Sequence, residues 1–482
     1  MVDFSLLLPE ILAAGLALLV LSVDLAIPAR WEARRNVITG WTAFGGLALL
    51  LIFTLAWLTG REGDLYNGLI FVDRYALLFK VLFIGTGAAV VLMSIEYVGK
   101  KVRHQGEFYA LIVMAVTGAM LMAGAGELLT AVLAIELLSF SLYILVALSR
   151  RDPRSAEAST KYILLGAIST GFIFYGVSLI YGMTGSTFFQ AIPFFLEDFS
   201  PALAAGFVFI IAGLGFKLSM FPFHLWAPDV YEGAPTPVTA LVAVLSKAAA
   251  FAVALRFLAE AGHASLPQWQ LMLGILAALT MAVGTLTALS QTNIKRLLAY
   301  SSVAQVGFVL MGVVALTPAA TNAVLLHLFG YAFTNLAAFM VVIVVETKTG
   351  KENISDYAGL ASREPFLAMV MSAALFSLAG LPIFAGFITK FYLFVGAAEA
   401  DLLWLVIVGV VASFISLYYY LRVMREMYVN EPATPGRMGL SPLTGAILWG
   451  LFLGTVFIGV YPGPLTDAID AATVVLTPFT GG

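Results

Sequence analysis

About fourteen apolar runs follow one another along this chain, at roughly 5–27, 36–59, 73–97, 107–124, 127–148, 160–183, 200–230, 236–260, 268–289, 296–317, 319–346, 365–398, 402–428 and 443–462. Only short polar breaks separate them. Most are close to the ~20 residues that an α-helix needs to cross a bilayer. Hydrocarbon offers no partner to a free backbone N–H or C=O, so runs of this length are expected to be helical there. With 61% of its residues hydrophobic and 11% charged, the chain is too apolar for a soluble fold. It reads as an all-α polytopic membrane protein. The opening MVDFSLLLPE has no basic n-region and is expected to begin a first span, not a cleaved signal.

Two runs, the seventh and twelfth, are about 31 and 34 residues long, and each holds a proline near its middle, Pro222 and Pro382. Proline breaks the helical ladder, which a membrane tolerates where the break is buried in protein or lines a wet cavity. Both are expected to be discontinuous helices. Lys217 precedes the first break, and Lys247 lies in the next span beyond a turn carrying Pro228, Pro235 and Pro237. An intramembrane lysine costs about 2.5–3.5 kcal/mol on insertion scales and is a functional candidate by default. Two of them about a broken helix point to a protein that moves charge.

Basic residues set an expected orientation. Alternate loops hold Arg30, Arg34, Arg35; Lys100, Lys101, Arg103; Arg150, Arg151, Arg154; Lys295, Arg296; Lys348, Lys351, Arg363; and Arg422, Arg425, Arg437, whereas the opposite loops hold only Arg61 and Arg74. Both termini are therefore expected outside. Lys80, Lys161, Lys217, Lys247, Arg256 and Lys390 fall within spans, more than a passive scaffold needs. Spans four to eight and nine to thirteen are two sets of five, each with its broken helix in fourth place. An odd number of helices inverts the second set, as in many transporters. The expected organisation is a three-helix segment (1–106), a first five-helix repeat (107–262), a second, inverted five-helix repeat (263–430), and a C-terminal helix and tail (431–482).

There is no cysteine, so no thiolate-held iron–sulfur cluster belongs to this chain. His104, His224, His263 and His327 show no haem or zinc spacing. No dinucleotide or phosphate-loop motif is present. A redox cofactor or metal in this chain is not expected, nor is nucleic-acid binding.

FKLSMFPFHLWAPDVYEGAPTPVTALVAVLSK (216–247), LLAYSSVAQVGFVLMG (297–312) and SLAGLPIFAGFITKFYLF (377–394) together resemble the antiporter-like membrane subunits of the proton-pumping NADH:quinone oxidoreductase, respiratory complex I. Within that family the turn sequence and Lys390 are similar to the N type; M-type subunits resemble this region with glutamate at the Lys390 position. The resemblance covers nearly the whole chain. It implies a proton channel in the membrane arm, with NADH, FMN, iron–sulfur clusters and quinone in other subunits. It also implies partners among those membrane-arm subunits, including the M-type and small ones, and a bacterial inner-membrane location. Proton transfer would then run through Glu136, Lys217, Lys247 and Lys390, with Lys161, His224 and His327 as further matches. A subunit of a multisubunit cation/proton antiporter is the alternative.

The positions carry simpler readings as well. Lys161 opens its span and can snorkel to the interface; His224 can cap or pack the break; His327 can be a hydrogen-bonded core histidine. Arg256 and Glu260 read as an i,i+4 surface pair, Lys80 as structural, and Glu10 and Asp24 as lining a subunit contact. Chemically, desolvation disfavours an ammonium and a nearby carboxylate restores it, so a Glu–Lys pair can gate protonation.

Overall fold

A computed structural model describes residues 4–58, 60–149, 153–195, 200–263, 266–432 and 436–476. Arg150 and Arg151, counted above in a basic loop, lie outside the described residues. The helices in chain order are α1 (Leu8–Ala26), α2 (Arg35–Leu58), α3 (Arg74–Lys101), α4 (Gln105–Gly124), α5 (Leu128–Val146), α6 (Pro153–Thr184), α7 (Pro201–Leu218), α8 (Trp226–Gly233), α9 (Thr236–Leu241), α10 (Lys247–Phe257), α11 (Leu266–Ala288), α12 (Ile294–Ala315), α13 (Pro318–Thr349), α14 (Leu360–Arg363), α15 (Pro365–Ala379), α16 (Ala385–Glu399), α17 (Leu403–Tyr428), α18 (Pro442–Val460) and α19 (Gly463–Thr473). A small antiparallel hairpin, β1 (Gly63–Leu65) and β2 (Ile70–Val72), pairs Gly63 with Val72. Among the described residues thirteen helices are long and apolar enough to cross a membrane. The twelfth expected span is present as two helices, α15 and α16, of 15 residues each.

Contacts divide the chain into two compact units. The first comprises 1–218, 233–271 and 468–482. Its closest helix pairs are α6 with α7, α4 with α5, α2 with α3 and α1 with α4. The run Thr236–Gly262 is wholly buried, as an all-round apolar helix should be. Two π-turns interrupt it, Val242–Ser246 immediately before Lys247 and Leu258–Gly262 at its end.

The second unit comprises 219–232 and 272–467. Here α13 is the hub, packed on α12, α15, α16 and α18. Its broken helix is closed by backbone geometry. α15 ends on Gly380 at φ +87, a left-handed position that glycine adopts without strain. The Gly380 N–H donates to Phe376 O and Ser377 O, and the Leu381 N–H to Phe376 O, which satisfies carbonyls left over at a helix end. α16 then passes so near that a Cβ on Gly386 would collide with the Ser377 carbonyl oxygen.

Several expectations change on burial. Arg256 and Glu260 do pair, at 3.3 Å, but in the interior, and Arg256 also holds Asp73 at 2.8 Å. The Asp73 carboxylate caps α3 by accepting from the Ala76 N–H, so this is a clasp between two elements. Lys80 is structural as expected, and its partner is Glu10 at 2.7 Å, both buried. Glu10 therefore faces inward, and Asp24 lies 3.7 Å from Arg35, whose side chain is partly exposed. α6 starts at Pro153, so Lys161 lies two turns inside the helix and does not open it.

Candidate functional site

In the first unit the site is built on α5. Glu136, Ser139 and Tyr143 share one helix face at i, i+3 and i+7, and a single ammonium from α7 meets all three. Lys217 Nζ donates to Ser139 Oγ at 2.7 Å and to Tyr143 OH at 3.2 Å, and it lies 3.9 Å from Glu136 Oε1. The same Glu136 oxygen is held by Thr170, whose Oγ1 donates to it at 2.6 Å. The hydroxyls therefore grip the lysine, and the carboxylate stands at the outer edge of ion-pair range. Buried charges are tolerated when paired and hydrogen-bonded, and both conditions hold here.

Tyr162 extends this cluster toward Lys247. Its ring meets Tyr143 edge-on at 4.7 Å, and its hydroxyl hydrogen-bonds Ser246. Ser246 ends the π-turn, and buried Lys247 follows it. Lys161, one residue from Tyr162, is on the other face. Its side chain is 41% exposed and pairs with Glu157 at 2.6 Å, so the structure does not bring it to Lys217 or Lys247.

In the second unit Lys390 is buried on α16 and reaches back across the break. Its Nζ donates to Leu378 O at 2.8 Å and Ser413 Oγ at 3.3 Å, and lies 4.2 Å over the Phe308 ring. Gln305 Nε2 donates to the same Leu378 carbonyl at 2.9 Å. The lysine thus caps the end of the first half-helix. Beside it a cavity of about 220 Å³ opens among Phe387, Phe391, Phe394 and Phe414. His327 Nδ1 is 3.0 Å from Thr389 Oγ1, next in sequence to Lys390. His224 is buried in the first break, stacked on Phe221 and hydrogen-bonded to the Pro222 backbone.

Sequence reasoning missed Ser139, Tyr143, Thr170, Tyr162, Gln305 and Thr389. The helical spacing of Ser139 and Tyr143 from Glu136 was the one signal that could have found any of them. Among the described residues no group of three or more His, Cys, Asp or Glu side chains could hold a metal ion.

Residues 125–416 match the family model described as NADH:quinone oxidoreductase/Mrp antiporter, TM. The chain belongs to this family. It is 41% identical over 473 residues to NADH-quinone oxidoreductase subunit N of Desulforamulus reducens, covering 98% of both chains. A chain of respiratory complex I from Thermus thermophilus, solved with bound aureothin, superposes with a TM-score of 0.80 at 31% identity, over 96% of this chain and all of that one. A chain of the Mrp complex from Dietzia has the same fold, with a TM-score of 0.85 at 20% identity and 98% of each chain covered.

Proposed function

We propose that this chain is the N-type antiporter-like subunit of a proton-pumping NADH:quinone oxidoreductase. Protons cross it through Glu136, Lys217, Lys247, His327 and Lys390, with His224 and Lys161 serving access. The redox groups sit in other subunits, and the M-type and small membrane subunits are its neighbours. The two five-helix sets act as inverted halves, and both termini face outward from a bacterial inner membrane.

The Glu136–Lys217 geometry carries the reading. At 3.9 Å and an effective dielectric of ~20 the attraction is roughly 4 kcal/mol; at ~12 Å it is about 1.4 kcal/mol. Moving one charge against 100 mV takes ~2.3 kcal/mol. A swing of this pair is therefore comparable to a single charge transfer, enough for a gate and too little for a motor. The drive comes from quinone reduction elsewhere in the assembly.

The test uses the purified complex in vesicles with a pH-sensitive dye. Lys217→Met and Glu136→Gln should remove most pumping and slow coupled quinone reduction while NADH–ferricyanide activity persists. Parallel loss of ferricyanide reduction in an intact particle would refute the separation of roles. Pumping that requires Na⁺ and no NADH would favour the cation/proton antiporter.

A further inference from the structure

Two tyrosines from different elements converge on one hydroxyl of the second unit. Ser302, on α12, accepts from Tyr331 OH of α13 at 2.9 Å. The hydroxyl of Tyr231, on α8, lies 3.3 Å from the same oxygen. Asn335 Nδ2 donates to Tyr331 OH at 2.7 Å. All four side chains are buried. Tyr331 accepts from the amide and directs its own proton to Ser302, while between Ser302 and Tyr231 either hydroxyl can be the donor.

Titratable groups stand at both ends of this chain of oxygens. Tyr231 is flanked in sequence by Asp229 and Glu232, both 2.9 Å from Arg296 and about one-third exposed. At the other end the Tyr331 ring lies parallel to His327 at 6.3 Å, and His327 Nδ1 reaches Thr389 beside Lys390. His327 Nε2 is buried with no hydrogen-bond partner among the described residues. A buried polar nitrogen of this kind is an ordinary place for water.

Resting on the proposed function, we infer that Ser302 is a proton-relay residue. It links the partly exposed Asp229–Glu232 pair, through Tyr231 and Tyr331, to His327 and Lys390. With Ser302 as donor to Tyr231, a proton received at Tyr331 sends that residue's own proton to Ser302, Ser302's proton to Tyr231, and Tyr231's proton on through water to a carboxylate of the Asp229–Glu232 pair. At each hop one O–H bond breaks as another forms, and no electrons move. Transfer in the opposite sense requires the three hydroxyls to turn first, which the Asn335 bond opposes. The link is gated by that amide. Water carries the remaining step between Tyr331 and His327 Nε2.

The experiment compares Ser302→Ala, Ser302→Thr and Tyr331→Phe in the intact complex, reading protons pumped per NADH in vesicles alongside NADH–ferricyanide activity. Ser302→Ala and Tyr331→Phe remove a relay oxygen and should lower the ratio at least about fivefold, the scale of one lost buried hydrogen bond. Ser302→Thr keeps the oxygen and should pump near the parent level. Should Ser302→Ala fail to assemble, Tyr331→Phe, which deletes one oxygen and no carbon, carries the same decision. Full pumping by Tyr331→Phe, or a loss in Ser302→Thr as deep as in Ser302→Ala, overturns the relay. Lys390→Met separates the two levels: if it also pumps normally the proposed function falls, and if only the Ser302 and Tyr331 variants pump normally the relay alone falls.

Discussion

Lys217 spends its hydrogen bonds on Ser139 and Tyr143, with Glu136 at 3.9 Å, so the amine is held by groups that cannot neutralise it. That separates holding from charge compensation. Ser139→Ala should leave the ammonium one donor short of a partner, a penalty of about 1–2 kcal/mol or roughly fivefold to thirtyfold. Tyr143→Phe removes the longer bond and should cost less. Vesicle acidification rates at equal complex content would rank the two; a larger effect for Tyr143→Phe would show that the ring edge to Tyr162 matters more than the Ser139 bond. At Lys390 the roles differ, because its donors satisfy Leu378 O at the end of α15. Gln305 still holds that carbonyl when the lysine is gone. Lys390→Glu keeps a titrating group and should pump partially, whereas Lys390→Met should pump much less. Equal loss in both, in assembled complexes, would mean the capping bond and not proton exchange is what the position supplies.

At the level of elements, what the sequence announces is what hydrocarbon penalises. Pro222, Pro382 and the in-span lysines are local violations, so both breaks and the buried Lys217, Lys247 and Lys390 could be located from residues alone. Hydroxyl partners are not announced, because Ser, Thr and Tyr sit in any spanning helix and only packing decides which face meets a neighbour. Lys161 illustrates the limit. The charged residue drew attention, yet adjacent Tyr162 faces the interior at 2% exposure. The π-turns before Lys247 and after Phe257 have no residue code, and the hairpin Gly63–Val72 lies in a segment with no apolar period. Burial also turned Arg256 from a surface residue into a clasp on Asp73. Removing Asp73 takes from buried Arg256 its closer, two-oxygen partner and leaves Glu260 alone to compensate it, a loss below the about 3–5 kcal/mol of a fully unpaired buried charge. Asp73→Ala, which also strips the α3 cap, should therefore reduce complex yield and thermal stability in detergent more than Arg74→Ala, whose pair with Glu62 is exposed. Similar melting for the two variants would contradict the clasp.

Across the whole molecule the residues of the proposed proton route divide between two compact units, with Glu136, Lys217 and Lys247 in one and His327 and Lys390 in the other. A single route in series and two independent half-routes make different demands on partial variants. In series, the slower step sets the flux, so combining Ser139→Ala with Lys390→Glu should give pumping close to the worse single variant. Independent routes would each lose their own share, and the double variant would fall by the sum of the two losses. Groups acting as one unit are expected to be non-additive in this way. The comparison must be made on protons per NADH, because a swing of the Glu136–Lys217 pair would supply only about 3 kcal/mol and the proposed drive lies outside the chain. An uncoupler adds the deciding control: if the proton steps are obligate, collapsing the gradient will not restore quinone reduction in the double variant. Full restoration would show that the variants merely back up against the gradient, and that neither unit gates the redox reaction.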